Sequence, residues 1–559
     1  MKKNKLIYAL GGLLAMSFAS CELTEKPDSF YEKDTYFESE SKAQMSVYGI
    51  HDCIGTQDHY GQFEMAMVAS DDTYYIQGTS SDNTRRDLAH YMIKSTNTWV
   101  EGVWKYKYKG IDRANFTIAG ITGMPDYEGN KNLKYMVAEA HFLRAFLAFD
   151  LVKHWGDVPY KTTYSSGYGE VFLPRTDREV IYEEIISDLD FAKENLRAGG
   201  DITNPEIPCQ AAAHALLMRV YLYRAGYSLK MDGQLTRPDD ATRKKYFDAV
   251  ISEWTALQSK GYHGFYDGGF DKLFMDYSAG VLNNKESLWE IAFSSPAGEK
   301  DNASSYGIYL GPLVDEPSVK PTERDRFMGR ANAFFRVVPE WLNFYEEKDV
   351  RRDVNICTYQ FKWRANVYDH VQEESPEPLL WFPGKWRREW MPKGYLDLNN
   401  GSVNFCPIRY ADAVLMAAEA YNETGNTTQA WALLNSVRTR AGATAITTAN
   451  YSTLLKSPAV YDLPFIDDGD DAGRFRTALY WERAFEMCYE NVRKLDLIRW
   501  GVLDKALKLF GDGIQNAKVK NNHYHAPKNF VKGQHELMPI PLSEMQSNPM
   551  LEGKNNPKY

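Results

Sequence analysis

Residues Ile408–Ala441 read IRYADAVLMAAEAYNETGNTTQAWALLNSVRTRA, a stretch of 34 residues that divides into two helices, Ile408–Asn422 and Thr427–Arg440. Small residues, Ala418 and Ala430 among them, let the two helices approach closely, and Gly425 turns the chain between them. One such unit cannot bury its own apolar face, so it requires stacked neighbours. Two earlier Ala-rich helical segments, Val137–Ala140 and Ala211–Ala215, are of the right character to supply them.

The rest of the chain bears out that need for neighbours. Helical periodicity runs from Trp99 to Ile121, where Val103, Trp104, Tyr108, Ile111 and Ile118 mark one face, and from Leu133 to His154. Further helices are predicted over 178–196, 209–225, 241–257 and 476–499. Ala418, Tyr421, Gly425 and Ala430 stand at the offsets of a tetratricopeptide pair, although the repeats are degenerate. From 261 to 405 the periodicity weakens while Gly, Pro, Asn and aromatic residues crowd together, leaving one clear strand at Leu288–Phe293. The predicted fold class is all-α: a tetratricopeptide-like helical superhelix with an irregular loop-rich segment and few short strands. One domain over 41–559 is expected, with helical repeats over about 41–258 and 407–510.

The N-terminus has its own logic. Lys2, Lys3 and Lys5 precede an apolar run, Leu6–Phe18, too short to span a bilayer, and Ala19-Ser20-Cys21 follows. This is the pattern of a lipoprotein signal peptide over 1–20 with Cys21 as the lipidated residue, and 21–40 reads as a polar tether. Stable anchoring then needs several acyl chains, because one alone is marginal.

Composition narrows the partners. Basic residues number 65 against 75 acidic ones, a net charge of −10 that disfavours nucleic acid. The five cysteines left after Cys21 are widely scattered with no CxxC pair, so neither a disulfide framework nor a zinc site of ordinary spacing is expected. No GxSxG, HExxH, Walker or GxGxxG motif occurs. Asp467–Asp471 is an acidic turn without the order of a calcium loop, and His523 and His525 read as loop residues. Glu482, Glu486 and Glu490 share a helix face with Arg483, Arg493 and Lys494 nearby, which predicts a salt-bridged helix surface rather than an acid/base pair. Arg409 and Asp412 are placed to pair locally. No catalytic residue, metal ligand or cofactor is assigned; a structural calcium ion is left open.

Several blocks resemble the SusD/RagB family of Bacteroidetes surface lipoproteins. They are Ile408–Ala420, Leu434–Gly442, Glu482–Glu486 with Arg493–Gly501, the tail from Met538-Pro539-Ile540-Pro541 to Tyr559, and upstream Trp104–Asn115 and His141–Tyr160. The resemblance implies a non-enzymatic protein on the exterior of the outer membrane that binds oligosaccharides or polysaccharides and delivers them to a TonB-dependent SusC-like transporter. Two other readings remain: a helical-repeat scaffold for peptide or protein, and a surface glycoside hydrolase. Within the family, ligand contacts fall in the region of Ala69–Trp99 and in loops after the strand near Trp289. Aromatic faces and short polar side chains together suit a sugar. On that basis Trp99 and Tyr75 are the expected stacking residues and Asp72, Asn97 and Arg85 the hydroxyl partners, with Tyr74, Tyr306 and Tyr309 beside them and Phe334 in the same loops.

Overall fold

The computed structural model describes residues 36–76, 78, 80–295, 301–394, 400–454, 469–516 and 524–559. The expected signal peptide, Cys21 and most of the tether lie outside the described residues, as do Asp467, Asp468 and His523.

Helices dominate. The first series is α1 (Glu40–Ile54), α2 (Thr98–Thr122), α3 (Lys131–Trp155), α4 (Arg178–Asn195), α5 (Gln210–Ala225) and α6 (Asp240–Ser259). The loop-rich segment contributes α7 (Gly269–Ala279), after which come α8 (Tyr410–Glu423), α9 (Thr427–Arg440), α10 (Asp471–Met487), α11 (Arg493–Arg499), α12 (Leu503–Asn516) and α13 (Leu542–Ser547). Asn97, Asn130, Asp177, Asp239 and Asn426 each accept a backbone N–H in the first turn of the helix that follows, which sets where α2, α3, α4, α6 and α9 begin. Each helix packs on the next, α2 on α3, α3 on α4, α4 on α5 and α5 on α6, and α6 then packs on α8 across the intervening chain. The superhelix therefore continues through a long insertion. Gly425 at φ +89° makes the α8–α9 turn, and Gly110 lets α2 approach α3 so closely that a Cβ there would stand 2.6 Å from Leu147 Cδ1.

The strands are short: β1 (Thr73–Tyr75), β2 (Ser287–Ile291), β3 (Phe335–Val337), β4 (Tyr359–Arg364), β5 (Asp369–Glu374) and β6 (Phe405–Arg409), with two further pairs of two-residue strands. β2 and β6 pair antiparallel, so the insertion leaves and re-enters the superhelix through one ladder. Trp289 on β2 is fully buried, with ring centroids 5.1 Å from Phe142 and 4.8 Å from Phe146 of α3. The five cysteines among the described residues are buried and free.

Four expectations change. The helix predicted over 476–499 is two helices, broken at Cys488–Val492, where Tyr489 and Asn491 take φ of +65° and +62°. The reason is visible at Glu486, whose carbonyl accepts from Lys385 Nζ at 2.7 Å and Arg409 Nη2 at 2.6 Å instead of continuing the ladder. The glutamates of α10 are ion-paired, but inside the protein: Glu482 and Glu486 are fully buried. Arg351 reaches Glu482 at 2.6 Å and Glu486 at 3.1 Å, Arg438 reaches Glu482 at 2.7 Å, and Arg440 pairs with Glu486. Arg409 does not pair with Asp412. It holds Glu286, Glu486 and Glu490 at 2.9, 2.6 and 2.7 Å, while Asp412 holds Arg219 and Arg483 at 2.5 and 2.8 Å. Residues of the insertion, Glu286, Arg351 and Lys385, are thereby tied to α8–α10 through buried charges. Finally, α7 and the β4–β5 hairpin stand where the 261–405 stretch reads as loop.

The buried carboxylates titrate in opposite directions. Burial alone would raise Glu486, but Arg440, Arg409 and Arg351 outweigh it and hold the carboxyl at about 2. Its stabilisation is present above the unfolded value of about 4.3 and is lost as pH falls through the folded one. Glu290 is pushed by burial up to about 7 despite hydrogen bonds from Ser287 and Asn404. It keeps its proton in the fold, so its contribution is present at low pH and lost as pH rises toward 7. Glu290→Gln, which mimics the protonated form, is expected to stabilise the protein at pH 8 by roughly 2 kcal/mol and to be near neutral at pH 5. Urea midpoints at the two pH values decide it: equal shifts at both would refute the assignment.

Candidate ligand platform

Backbone pairing assembles an aromatic cluster from three distant stretches. β1 pairs with β3 so that Tyr75 opposes Phe335. Ile76 N–H then donates to Phe334 O at 3.2 Å, and Phe334 N–H donates to Tyr309 O at 2.9 Å. Tyr75, Phe334 and Tyr309 are consequently neighbours: the Tyr75 and Phe334 rings stack at 5.8 Å and 27°, and the Tyr309 and Phe334 centroids are 4.8 Å apart.

Arg85 completes the cluster. It opens the one-turn helix Arg85–Ala89, whose entry is fixed by Asp82 Oδ1 accepting from Thr84 N–H and Arg86 N–H. Its Nε donates to the Tyr75 hydroxyl at 3.1 Å, and its guanidinium lies 4.2 Å from the Phe334 centroid and 5.5 Å from that of Tyr309. Arg85 forms no ion pair among the described residues. Its charge is instead matched by π faces, a favourable cation–π geometry. Burial raises the Tyr75 phenol, with Arg85 opposing the shift. Arg85, Tyr309 and Phe334 are half-exposed. The result is a half-exposed surface in which the Arg85 guanidinium lies over the Phe334 ring, with the Tyr309 ring beside both.

The other sequence-derived candidates lie elsewhere. Asp72 is buried, its Oδ1 accepting from Ser70 Oγ at 2.7 Å and Thr73 Oγ1 at 3.0 Å. Tyr74 is buried and donates its hydroxyl to Leu379 O at 2.7 Å. Asn97 is buried as the N-cap of α2. Tyr306 is buried with its hydroxyl on Tyr60 O and its ring stacked at 5.0 Å on Phe405. Trp99 is half-buried at the start of α2 against the core. Tyr75, expected as a stacking residue, is fully buried, and like Asp72, Tyr74, Asn97 and Tyr306 it offers no side chain to solvent in this structure; of these eight candidates only Arg85, Trp99 and Tyr309 present exposed surface.

One group among the described residues has the donors of a metal site: His59, Glu64 and Asp150, all buried. The Lys107 ammonium lies among them, 2.6 Å from His59 Nε2, 3.3 Å from Glu64 and 2.8 Å from Asp150. His59 Nδ1 bonds the Cys53 carbonyl at 3.0 Å, which leaves Nε2 as acceptor for the lysine. A lysine side chain thus takes the position a cation would need.

Two sequence models match. One, described as the SusD family, covers residues 285–559; the other, described as starch-binding and associating with the outer membrane, covers residues 23–222. The chain belongs to the SusD/RagB family. SusD-like protein P2 of Formosa agariphila is 26% identical to it over the full length of both chains. A solved SusD homologue from Bacteroides thetaiotaomicron superposes with a TM-score of 0.78 at 24% identity, covering 94% of this chain and 98% of its own. A laminarin-binding SusD-like protein superposes at 0.66 and 23% identity, covering 93% and 99%. The fold of this SusD-family chain, a helical superhelix with few strands, is shared by these structures, and the order of blocks read from its sequence is the order in which the superhelix is built.

Proposed function

We propose that the protein is a non-catalytic, lipid-anchored glycan-binding protein of the outer membrane that captures oligosaccharides and delivers them to a TonB-dependent SusC-like transporter. The observation that carries this reading is the Arg85 guanidinium, which has no acidic partner among the described residues, lying with the half-exposed Phe334 and Tyr309 rings. A pyranose offers the complement: a C–H face for the rings and a rim of hydroxyls for the guanidinium. Family membership and the laminarin-binding relative support glycan as the ligand class, and the signal-like leader ending in Cys21 supports the anchor. Glu482 and Glu486, the carboxylates of α10 that could resemble an acid/base pair, are fully buried in ion pairs with arginines and so are closed to a substrate. Modest affinity suffices beside a transporter, because tethering raises the local ligand concentration.

Titration calorimetry against a glycan panel that includes laminarin tests the proposal. Removing the platform with Tyr309→Ala and Phe334→Ala together is expected to weaken binding about 30-fold, or roughly 2 kcal/mol. Unchanged affinity would remove the platform, and the appearance of new reducing ends during incubation would overturn the non-catalytic reading.

A further inference from the structure

A cavity of about 590 Å³ runs along α2 and shares no residue with the platform. Its floor is one stripe of that helix, Trp104, Tyr108, Ile111 and Asn115, at three- and four-residue spacing. The loop 159–173 forms one wall and Pro541–Ser547 the other.

Both walls are pinned. The loop is closed at its base by a bridge between Val158 and Thr176. Along its length Tyr108 Oη donates to Pro159 O at 2.7 Å, Asn115 Nδ2 donates to Lys161 O at 3.2 Å, and Ser165 N–H donates to Asp112 Oδ1 at 2.8 Å. The C-terminal wall is held by Trp155 Nε1 on Pro539 O at 2.9 Å and by Leu542 N–H on Ser95 O at 2.8 Å. Asn548 Nδ2 on Leu173 O at 3.0 Å ties one wall to the other. The space is therefore preformed, and its volume is in the range of small-molecule sites, roughly 300–1,000 Å³.

The lining combines the aromatic and prolyl surfaces of Trp104, Tyr108, Tyr160, Pro159 and Pro541 with polar side chains, Glu544 among them. Glu544 lies half-buried, its carboxyl accepting from the Trp104 and Asn548 side chains, and forms no ion pair among the described residues; burial raises its carboxyl against those two bonds. Glu101 and Asp112 line the cavity as well, with Lys105 and Lys161 among them, so its charge is nearly balanced and selects for neither an anion nor a cation. A carboxyl in this setting is satisfied by hydroxyl donors on a ring whose other surface is apolar. We propose that the cleft is a second carbohydrate site, which takes a neutral mono- or disaccharide, with Glu544 accepting from ring hydroxyls and the half-buried Tyr108 ring against the C–H face.

The test uses the mature chain and glucose, galactose, mannose and their β-1,3- and β-1,4-linked disaccharides, titrated into the wild type and into an Arg85→Ala/Tyr309→Ala background that lacks the platform. That background is expected to retain one-to-one binding of at least one of these sugars. Ser543 is exposed on the cavity wall, so Ser543→Trp fills the space without entering the core and is expected to abolish the retained binding; Glu544→Gln, which keeps the shape, is expected to weaken it at least tenfold. Thermal melts check that both variants fold. Binding lost completely with the platform, binding indifferent to Ser543→Trp, or no panel sugar bound by the wild type would each overturn the cleft. Only if removal of the platform left stoichiometry and affinity unchanged for every glycan, and Ser543→Trp alone abolished all binding, would the result uphold the cleft and sink the platform.

Discussion

Arg409→Ala is expected to lower the unfolding free energy by about 3–5 kcal/mol, the usual cost of removing one member of a buried ion network. The residue is fully buried at the end of β6, and its guanidinium serves three carboxylates, Glu286, Glu486 and Glu490, as well as the Glu486 carbonyl. Removing it strands negative charge where water cannot reach. It also frees the carbonyl whose engagement breaks the helix between α10 and α11. Arg409→Lys is expected to recover only part of the loss, because an ammonium cannot present a planar fork to several acceptors at once. Urea titration followed by tryptophan fluorescence measures both variants, and a loss under 1 kcal/mol for the alanine variant would show that the remaining arginines compensate.

Lys107→Met is expected to be comparably damaging, at about 3–5 kcal/mol near neutral pH. Burial alone would raise the Asp150 carboxyl, yet Lys107, Lys153 and His59 hold it well below the usual carboxylate range. Without the lysine, Asp150 and Glu64 face each other across His59 with a buried cation removed. The pH dependence supplies a signature that simple loss of packing lacks. In the wild type the depressed carboxylates contribute stability that is present above their unfolded values of about 4 and disappears as pH falls through the folded ones. In the variant they take up protons earlier, so the deficit against the wild type is expected to narrow between pH 7 and pH 4. A deficit that stays constant across that interval would mean that lost methylene packing, and not charge, is responsible.

The platform and the buried candidates show how far residue patterns carry. The stretch from Ala69 to Trp99 has the Gly, Ser, Asn and aromatic texture of a binding loop, and part of it, Arg85, is half-exposed on the platform. Yet Ala69–Tyr75 is buried throughout. An irregular segment inside a protein must satisfy its backbone without a helix or a broad sheet, and it does so with short polar side chains of the same kind a loop displays to solvent. Asp72 bonding Ser70 and Thr73, and Asn97 capping α2, are instances. Composition alone does not separate the two uses. Likewise, the β4–β5 hairpin is obscured by its charged residues, which pair across the strands, as Arg364 does with Glu373.

What the chain declares by itself is what repeats locally. The apolar period of α2 to α6 and of α8 and α9 and the turn at Gly425 are readable because a helix face is encoded every three or four residues and depends on nothing distant. The same glutamates and arginines of α10 and α11 were equally visible as charges, but not as core. Arg351 meets Glu482 and Arg409 meets Glu286 because the insertion returns to the superhelix through the β2–β6 ladder, and Arg493 meets Asp71, far away in sequence, at 2.7 Å. Tyr309 and Phe334 come to Arg85 through the β1–β3 pairing. Local periodicity says which way a side chain faces within its own element. Whether that face meets water, a ligand or another charge is settled by segments a hundred or more residues away, and so by the tertiary structure alone.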